Sequence, residues 1–489
     1  MTKVRMHGRT IKRYENYDKV NYSITDTIRA LQLRDGMTIS FHHHFREGDL
    51  TVNQVIEAIH ELGIKDLTIF ASSLGNVHSP FIKWIKDGTI TSIHTSGLRG
   101  ELAQFISRGG LENPVIIRSH GGRARAIEAG DVKIDIAFLA VPSADRMGNA
   151  NGHGKNTKCG SLGYAMVDAA FADKVVLLTD DLVDYPNMPS PISQTQVDHV
   201  VVLDRIGDPA GIASGATRFT KNPKEILIAK QTAKVITNLE YYKEGFSFQT
   251  GSGGASLAVS RFLEEKMLKD SITASFVLGG ITEPIVSMHE KGLIRHLFDV
   301  QSFDLAAVDS VFRNPNHHVI SASTYANAFN MGPITTNLDY VVLSALEIDK
   351  SFNVNVMTGS DGVVMGASGG HCDTAESAKC TIIVAPLYRG RIATVVEKVT
   401  TVITPGSSVD VLVTDRGIAV NPKRADIMEQ LTNAGVKTVS IESLLDMVNV
   451  LIGSANPIEF TDRVVAKVEY RDGTIIDRIM AVKDIDSDA

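Results

Sequence analysis

Cysteine is scarce. Cys159, Cys372 and Cys380 form no C-x-x-C pair, which excludes a disulfide framework and fits a reducing compartment. No run of about 18 apolar residues occurs, so nothing reads as a membrane span. The segment Met1 to Asn21 is polar and mixed in charge, without the apolar core that a signal peptide needs, and the expectation is a cytoplasmic protein. Basic charge is not in excess either. Lys and Arg number 49 against 56 Asp and Glu, for a net charge of −7 and a pI near 6.1, so no nucleic-acid footprint is expected. What is present is 489 residues with 43% hydrophobic and 21% charged side chains. That length supports two or three domains, each with its own core.

Apolar strands alternate with helices along the chain. Met37-Thr38-Ile39-Ser40-Phe41, Leu67-Thr68-Ile69-Phe70, Pro114-Val115-Ile116-Ile117, Ile134 to Val141 and Lys174 to Thr179 read as strands. Between the first two, Val52, Val55, Ile56, Ile59 and Leu62 recur at helical spacing, with Gly63 past the end as a stop. Continuous apolar strands of this kind predict a largely parallel sheet covered on both faces. The pattern then restarts. Glu244-Gly245-Phe246-Ser247-Phe248 echoes Asp35-Gly36 through Phe41, and a glycine loop, Gly251-Ser252-Gly253-Gly254, replaces His42-His43-His44. Asp145-Arg146-Met147-Gly148-Asn149-Ala150-Asn151 matches Asp349-Lys350-Ser351-Phe352-Asn353-Val354-Asn355 without gaps, and Asp168 to Thr179 matches Asp373 to Val384. These matches imply an internal duplication. The expected organisation is an extension over 1–33, α/β domains of one topology over 34–228 and 229–455, and a hairpin tail over 456–489 turning at Arg471-Asp472-Gly473.

The second copy holds the densest glycine cluster: Gly359, Gly362, Gly366, Gly369 and Gly370 precede His371. Glycine is used this heavily where backbone amides approach a ligand or φ is positive. The loop Gly251-Ser252-Gly253-Gly254 lies between a strand and a helix, where free N–H groups and the helix dipole favour an anion, although it lacks the Lys of a phosphate-binding P-loop. Packing explains it equally well. Of the three adjacent histidines, His42 and His44 would share one side of an extended chain; no Asp, Glu, His or Cys accompanies them at a metal-ligand spacing, so no metal is expected. They are candidates for contact with an anionic ligand, or structural. Arg46, Arg99, Arg123 and Arg125 are candidate carboxylate clamps, against the alternative of ordinary surface arginines.

Four stretches carry a family resemblance: His120-Gly121-Gly122-Arg123, Ser143 to Asn151, Pro189-Ser190-Pro191-Ile192, and Gly366-Ala367-Ser368-Gly369-Gly370-His371. With the tandem repeat, they resemble the coenzyme A transferases of two α/β domains, and within these the alpha-subunit family of citrate lyase, over nearly the whole chain. The resemblance implies an open parallel-sheet α/β fold and the exchange of acetate for citrate on a thioester. It further implies a CoA-like arm on an acyl-carrier (gamma) subunit, or acetyl-CoA, as thiol, with no tightly bound cofactor of the chain's own. A separate citryl lyase (beta) subunit would cleave the product, and the chain would form a homo-oligomer within a larger complex. Gly366, Gly369 and Gly370 resemble the motif that supplies oxyanion amides in these transferases. Leu278-Gly279-Gly280-Ile281-Thr282-Glu283 matches four of six positions of their L-G-I-H-T-E pattern, and Pro284 then departs from it. Glu283 is thus a candidate site residue. The citrate-specific group implies direct attack by citrate in a ternary complex, through a mixed anhydride, without a glutamyl thioester. Alternatives are a transferase that does use a glutamyl thioester, a non-catalytic carrier-binding scaffold, and a sugar-phosphate isomerase or deaminase. Since Gly-Ala-Ser-Gly-Gly occurs only in the second copy, that domain is expected to hold the thioester carbonyl and the first to supply cations for citrate.

Overall fold

The computed structural model describes residues 18–213, 220–251, 253–453 and 457–483. Two large sheets organise them. In spatial order the first contains Val20–Asn21, His199–Val202, Lys174–Thr179, Ile136–Ala140, Thr38–Phe41, Leu67–Ala71, Ile90–Thr95, Val115–Arg118, Phe460–Glu469 and Ile475–Val482. The second contains His317–Val319, Ile294–Ser302, Ala274–Ile281, Ser247–Thr250, Tyr340–Ser344, Cys380–Val384, Val411–Val413 and Ile418–Val420. All pairings are parallel except the last in each sheet. Ile136–Ala140 and Cys380–Val384 are buried at every position, as sheets covered on both faces require.

The duplication is visible in the strand order. From Thr38–Phe41 the chain runs outward through 67–71, 90–95 and 115–118, then crosses back to 136–140, 174–179 and 199–202. From Ser247–Thr250 it does the same through 274–281, 294–302 and 317–319, then 340–344, 380–384 and 411–413. Each sheet therefore reverses direction beside its first strand, and the loops leaving that strand open a crevice at its carboxyl end. The histidine loop leaves one such strand, and Gly251 follows the other, ahead of the helix Gly254–Asp270.

The domain limits differ from the sequence reading in two places. The helix Pro223–Ile236 starts at the Asn222 cap and buries Ile228, Ala229, Val235 and Ile236 in the second core, so the junction precedes Pro223 rather than falling at 228. The hairpin read as a tail is part of the first sheet. Phe460–Glu469 pairs in parallel with Val115–Arg118, and the buried Glu469 carboxylate accepts from Arg118 and Arg125. A chain end that supplies two strands and a buried counter-ion is a structural element of the domain it closes. Segment 18–33 likewise joins the first sheet, through Val20 and Asn21 beside Val200 and Val201.

Candidate active site between the two sheets

The carboxyl ends of both sheets face one cleft of about 430 Å³. Its first-domain wall includes His43, Arg46, Ser96, Arg99 and His120; its second-domain wall includes Gln249, Gln301, Tyr325 and the run Gly366 to His371. Cross-domain bonds close the seam. Leu98 N–H donates to the Gly366 carbonyl (3.1 Å), Ser368 N–H to Ser96 (2.7 Å) and His120 N–H to Gly369 (2.8 Å), while the Gln301 amide donates to the His43 carbonyl (3.1 Å). This approach demands a glycine at 97, where a Cβ would stand 2.2 Å from that of Ala367.

Beneath the seam lies Asp373. Its Oδ2 accepts from Gly121 N–H (2.8 Å) and its Oδ1 from the Ser119 hydroxyl (2.7 Å), so a second-domain carboxylate caps the first-domain helix His120–Glu128. Burial pushes its carboxyl up to about 6, against the bonds from Gly121 and Ser119. His371 is held on both sides: one ring nitrogen lies 2.7 Å from Thr404 Oγ1 and the other donates to the Ser344 carbonyl (3.0 Å). With Gly369 at φ +54°, the loop passes through the left-handed region that glycine tolerates. Among the described residues the amides of Ala367, Gly369 and Gly370 meet no protein acceptor, although neighbouring amides do. Free, pre-oriented N–H groups of this kind are what stabilises a developing oxyanion.

Opposite this loop the cleft continues into a chamber of about 220 Å³ lined by His43, Arg46, Glu47, Asn76 and Arg99, among others. Burial, then the charge of Arg99, lowers the Arg46 guanidinium's proton affinity; burial lowers that of Arg99, countered by Glu47. Neither arginine has a carboxylate within ion-pair distance among the described residues. Glu47 is occupied by the amides of Asn76 and Val77 and by the Asn76 side chain. Arg46 lies 5.2 Å from the Phe303 ring and donates to the Ile212 carbonyl (3.1 Å). Two half-buried guanidiniums sharing one acid form a site with net attraction for an anion.

The other sequence candidates divide. Arg123 makes a buried bidentate pair with Asp168 (2.7 and 2.8 Å) over the Phe70 ring, and Arg125 bonds Asp131 and Glu469. Both are held in buried ion pairs inside the fold, each with its Nε left without a partner among the described residues, and neither is on the cleft wall. His42 and His44 are buried behind it, their rings bonded to each other, and burial first of all holds both neutral, His42 at about 3. The strand ends at Phe41, so strict alternation does not govern these residues, and it is His43 that faces the cleft. His43 Nδ1 lies 2.5 Å from Ser72 Oγ, which also accepts the His43 N–H, so the ring is anchored through Nδ1. Glu283 is exposed at the start of the helix Glu283–Glu290, its N–H bonded to Asp304, and is not on the cleft wall. Gly251 and Gly253 line the cleft; Gly254 abuts Glu225 instead, and Ser252 lies outside the described residues. Among the described residues no group of three or more His, Cys, Asp or Glu is arranged to hold a metal. Sequence reasoning missed His43, His120, Gln249, Gln301 and Tyr325. Two of these had a signal: His43 in the histidine triplet and His120 in the distinctive His-Gly-Gly-Arg stretch.

Two tandem domains whose carboxyl ends share a cleft define the CoA-transferase type of fold. A 4-hydroxybutyrate CoA-transferase from Porphyromonas gingivalis superposes with a TM-score of 0.56 at 16% identity over 88% of this chain and 97% of its own, a likeness of fold. The family relation is closer. Residues 17–482 match the model of the citrate lyase alpha subunit, CitF, and the chain belongs to that family. It is 58% identical over 466 residues to the citrate lyase alpha chain of Escherichia coli (strain K12), covering 95% of this chain and 91% of the other. A citrate lyase alpha subunit from Streptococcus mutans, solved in complex with citrate, is 56% identical, with a TM-score of 0.95 over 97% of this chain and 93% of that one.

Proposed function

We propose that this chain is the citrate CoA-transferase component of a citrate lyase. It exchanges acetate for citrate on an acyl thioester, giving a citryl thioester and acetate as the first step of citrate cleavage to acetate and oxaloacetate. The observation that carries the reading is the pairing, across one cleft, of two guanidiniums without a carboxylate partner, Arg46 and Arg99, with amides at Ala367, Gly369 and Gly370 that meet no acceptor among the described residues. A tricarboxylate needs fixed cations, and acyl transfer needs donors where negative charge develops. The thiolate leaving group is stable enough to depart without a strong acid, and histidines held neutral supply none.

In this reading Arg46 and Arg99 hold citrate carboxylates and the loop at 366–370 holds the thioester oxygen. Gly251 and Gly253 flank the path of the pantetheine arm. Because Glu283 is exposed and bound into a helix start, direct attack of a citrate carboxylate in a ternary complex is favoured over a glutamyl thioester. The thioester belongs to a CoA-like group on an acyl-carrier (gamma) subunit, with acetyl-CoA as substitute; a citryl lyase (beta) subunit acts next, in a cytoplasmic complex holding several copies of this chain. The test is to incubate the protein with acetyl-CoA and citrate and follow citryl-CoA by mass spectrometry. Formation of citryl-CoA with release of acetate is expected; no product, with or without the carrier subunit, would refute the reading.

A further inference from the structure

His120 opens the helix His120–Glu128, and its ring enters the cleft beside Tyr164 (centroids 4.5 Å) and His43 (5.7 Å). Its Nδ1 is buried without a hydrogen-bond partner among the described residues. Its Nε2 lies 3.8 Å from the point where a Cβ on Gly369 would stand. The backbone joins the same two residues, because His120 N–H holds the Gly369 carbonyl. In a planar trans peptide the carbonyl and the next N–H point in opposite directions, so this bond also fixes the aim of the Gly370 amide.

Burial, then the positive charge of Arg123, pushes the His120 imidazole down to about 3, so the ring is neutral and carries one N–H. On Nδ1 that proton would be a buried donor with no acceptor among the described residues. On Nε2 it faces the cleft. The tautomer is thereby set with its donor toward the Gly369–Gly370 peptide.

We propose that His120 is a catalytic residue, a neutral imidazole whose Nε2–H donates to the oxyanion formed on the thioester carbonyl, alongside the Gly370 amide. This rests on the acyl-transfer reading above. In the first step a citrate carboxylate oxygen forms a bond to the acetyl carbonyl carbon, and the carbonyl π pair moves onto oxygen, where His120 and Gly370 meet it. Collapse breaks the carbon–sulfur bond and releases thiolate, leaving an acetyl–citryl anhydride. The thiolate then attacks the citryl carbonyl, and acetate leaves with the carbon–oxygen pair. No proton is transferred, so a donor that keeps its proton suits the step better than an acid.

The experiment compares wild type, His120→Ala and His120→Gln with acetyl-CoA and citrate, together with citrate binding by calorimetry. His120→Ala is expected to lose about 100-fold in kcat, as for other single oxyanion donors, with citrate affinity held within about 3-fold. His120→Gln, whose amide N–H reaches near the Nε2 position, should recover about 10-fold or more of that loss. The groups facing His120 are Arg123, His43, His44, Tyr164 and the uncharged Gly369 backbone, and Asp373, with its carboxyl pushed up to about 6, caps the same helix at Ser119 and Gly121, so kcat should be flat between about pH 7 and pH 9. A fully active His120→Ala overturns the proposal. So does a folded, citrate-binding His120→Gln that is 100-fold impaired, as does a wild-type kcat titrating in that range, which would mark proton transfer. If His120→Ala does not fold, His120→Gln decides alone. An inactive wild type would instead refute the acyl-transfer reading itself.

Discussion

Three glycines of the 366–370 loop separate architecture from chemistry. A methyl group at Gly369 meets only His120 Nε2, at 3.8 Å, whereas at Gly366 it would stand 2.0 Å from the Val356 carbonyl oxygen and at Gly370 2.4 Å from the Tyr325 hydroxyl. Gly369→Ala therefore carries chiefly the cost of φ +54° for an L-residue, about 1–2 kcal/mol. In a domain of this size that is a fall in Tm of about 2–8 °C. The new methyl group lies between the loop amides and His120, where the oxyanion is expected. Displacing it from one donor should cost about 10²–10³ in kcat. Gly366→Ala should invert the pattern, since a backbone oxygen cannot yield without moving the strand behind it. Its Tm should fall further, with activity lost in proportion to unfolding. Gly369→Val, with two further carbons, should abolish transfer while the protein remains folded. The assay is citryl-CoA formation beside thermal unfolding on the same samples. A Gly369→Ala protein with wild-type kcat would refute the assignment of the oxyanion to this loop.

Glu283→Gln should keep its activity within about 3-fold, and borohydride or hydroxylamine should trap no adduct at this residue; a covalent Glu283 species would reinstate the glutamyl thioester. Arg99→Met should raise the KM for citrate about 10- to 100-fold at nearly unchanged Tm, because a hydrogen bond to a charged group contributes about 1.5–3 kcal/mol. Arg123→Met should do the reverse. It leaves Asp168 buried without its partner, at about 3–5 kcal/mol, and an unchanged Tm would contradict the pairing. Asp373, with its carboxyl pushed up to about 6 from 3.8 by burial, binds a proton more tightly folded than unfolded. Its stabilising contribution is full below about pH 4 and is lost as pH rises through 6, on the order of 3 kcal/mol in all. Asp373→Asn lacks that loss, so its Tm should gain on the wild type between pH 4 and pH 7; a constant difference across that range would refute the raised pKa.

The fold was legible because the strands bury both faces and so read as continuous apolar runs, and because each half repeats the same motifs at nearly one spacing. The hairpin was legible as a hairpin and not as an edge of the first sheet: its partner, Val115–Arg118, lies more than 300 residues earlier in the chain, and local patterning carries no such pairing. The arginines illustrate the same limit. Arg46, Arg99, Arg123 and Arg125 look alike in a sequence, and only the positions of Asp168, Asp131 and Glu469 decide which are consumed inside the fold. The histidines were misjudged for a different reason. Alternation was assumed beyond the end of a strand that stops at Phe41, and the residue that turned toward the cleft was the middle one.

The duplication itself explains how the two domains come to share one site. Asp168 and Asp373 are counterparts in the repeat, and each follows a matching Asp-x-x-x-Asn-x-Asn segment. Both grip the same helix. Asp168 holds its Arg123 from within the first domain, and Asp373 reaches across the seam to cap its start through Ser119 and Gly121. One copy thus kept an internal contact and the other turned it outward. The helix so clamped presents His120 to the loop that carries Gly369. A displacement of either domain would have to break a buried carboxylate bond before it could separate His120 from the Gly370 amide, and unpairing such groups costs more than an exposed contact would. The geometry of the oxyanion donors is therefore a property of the interface between the repeats, and neither domain alone would preserve it.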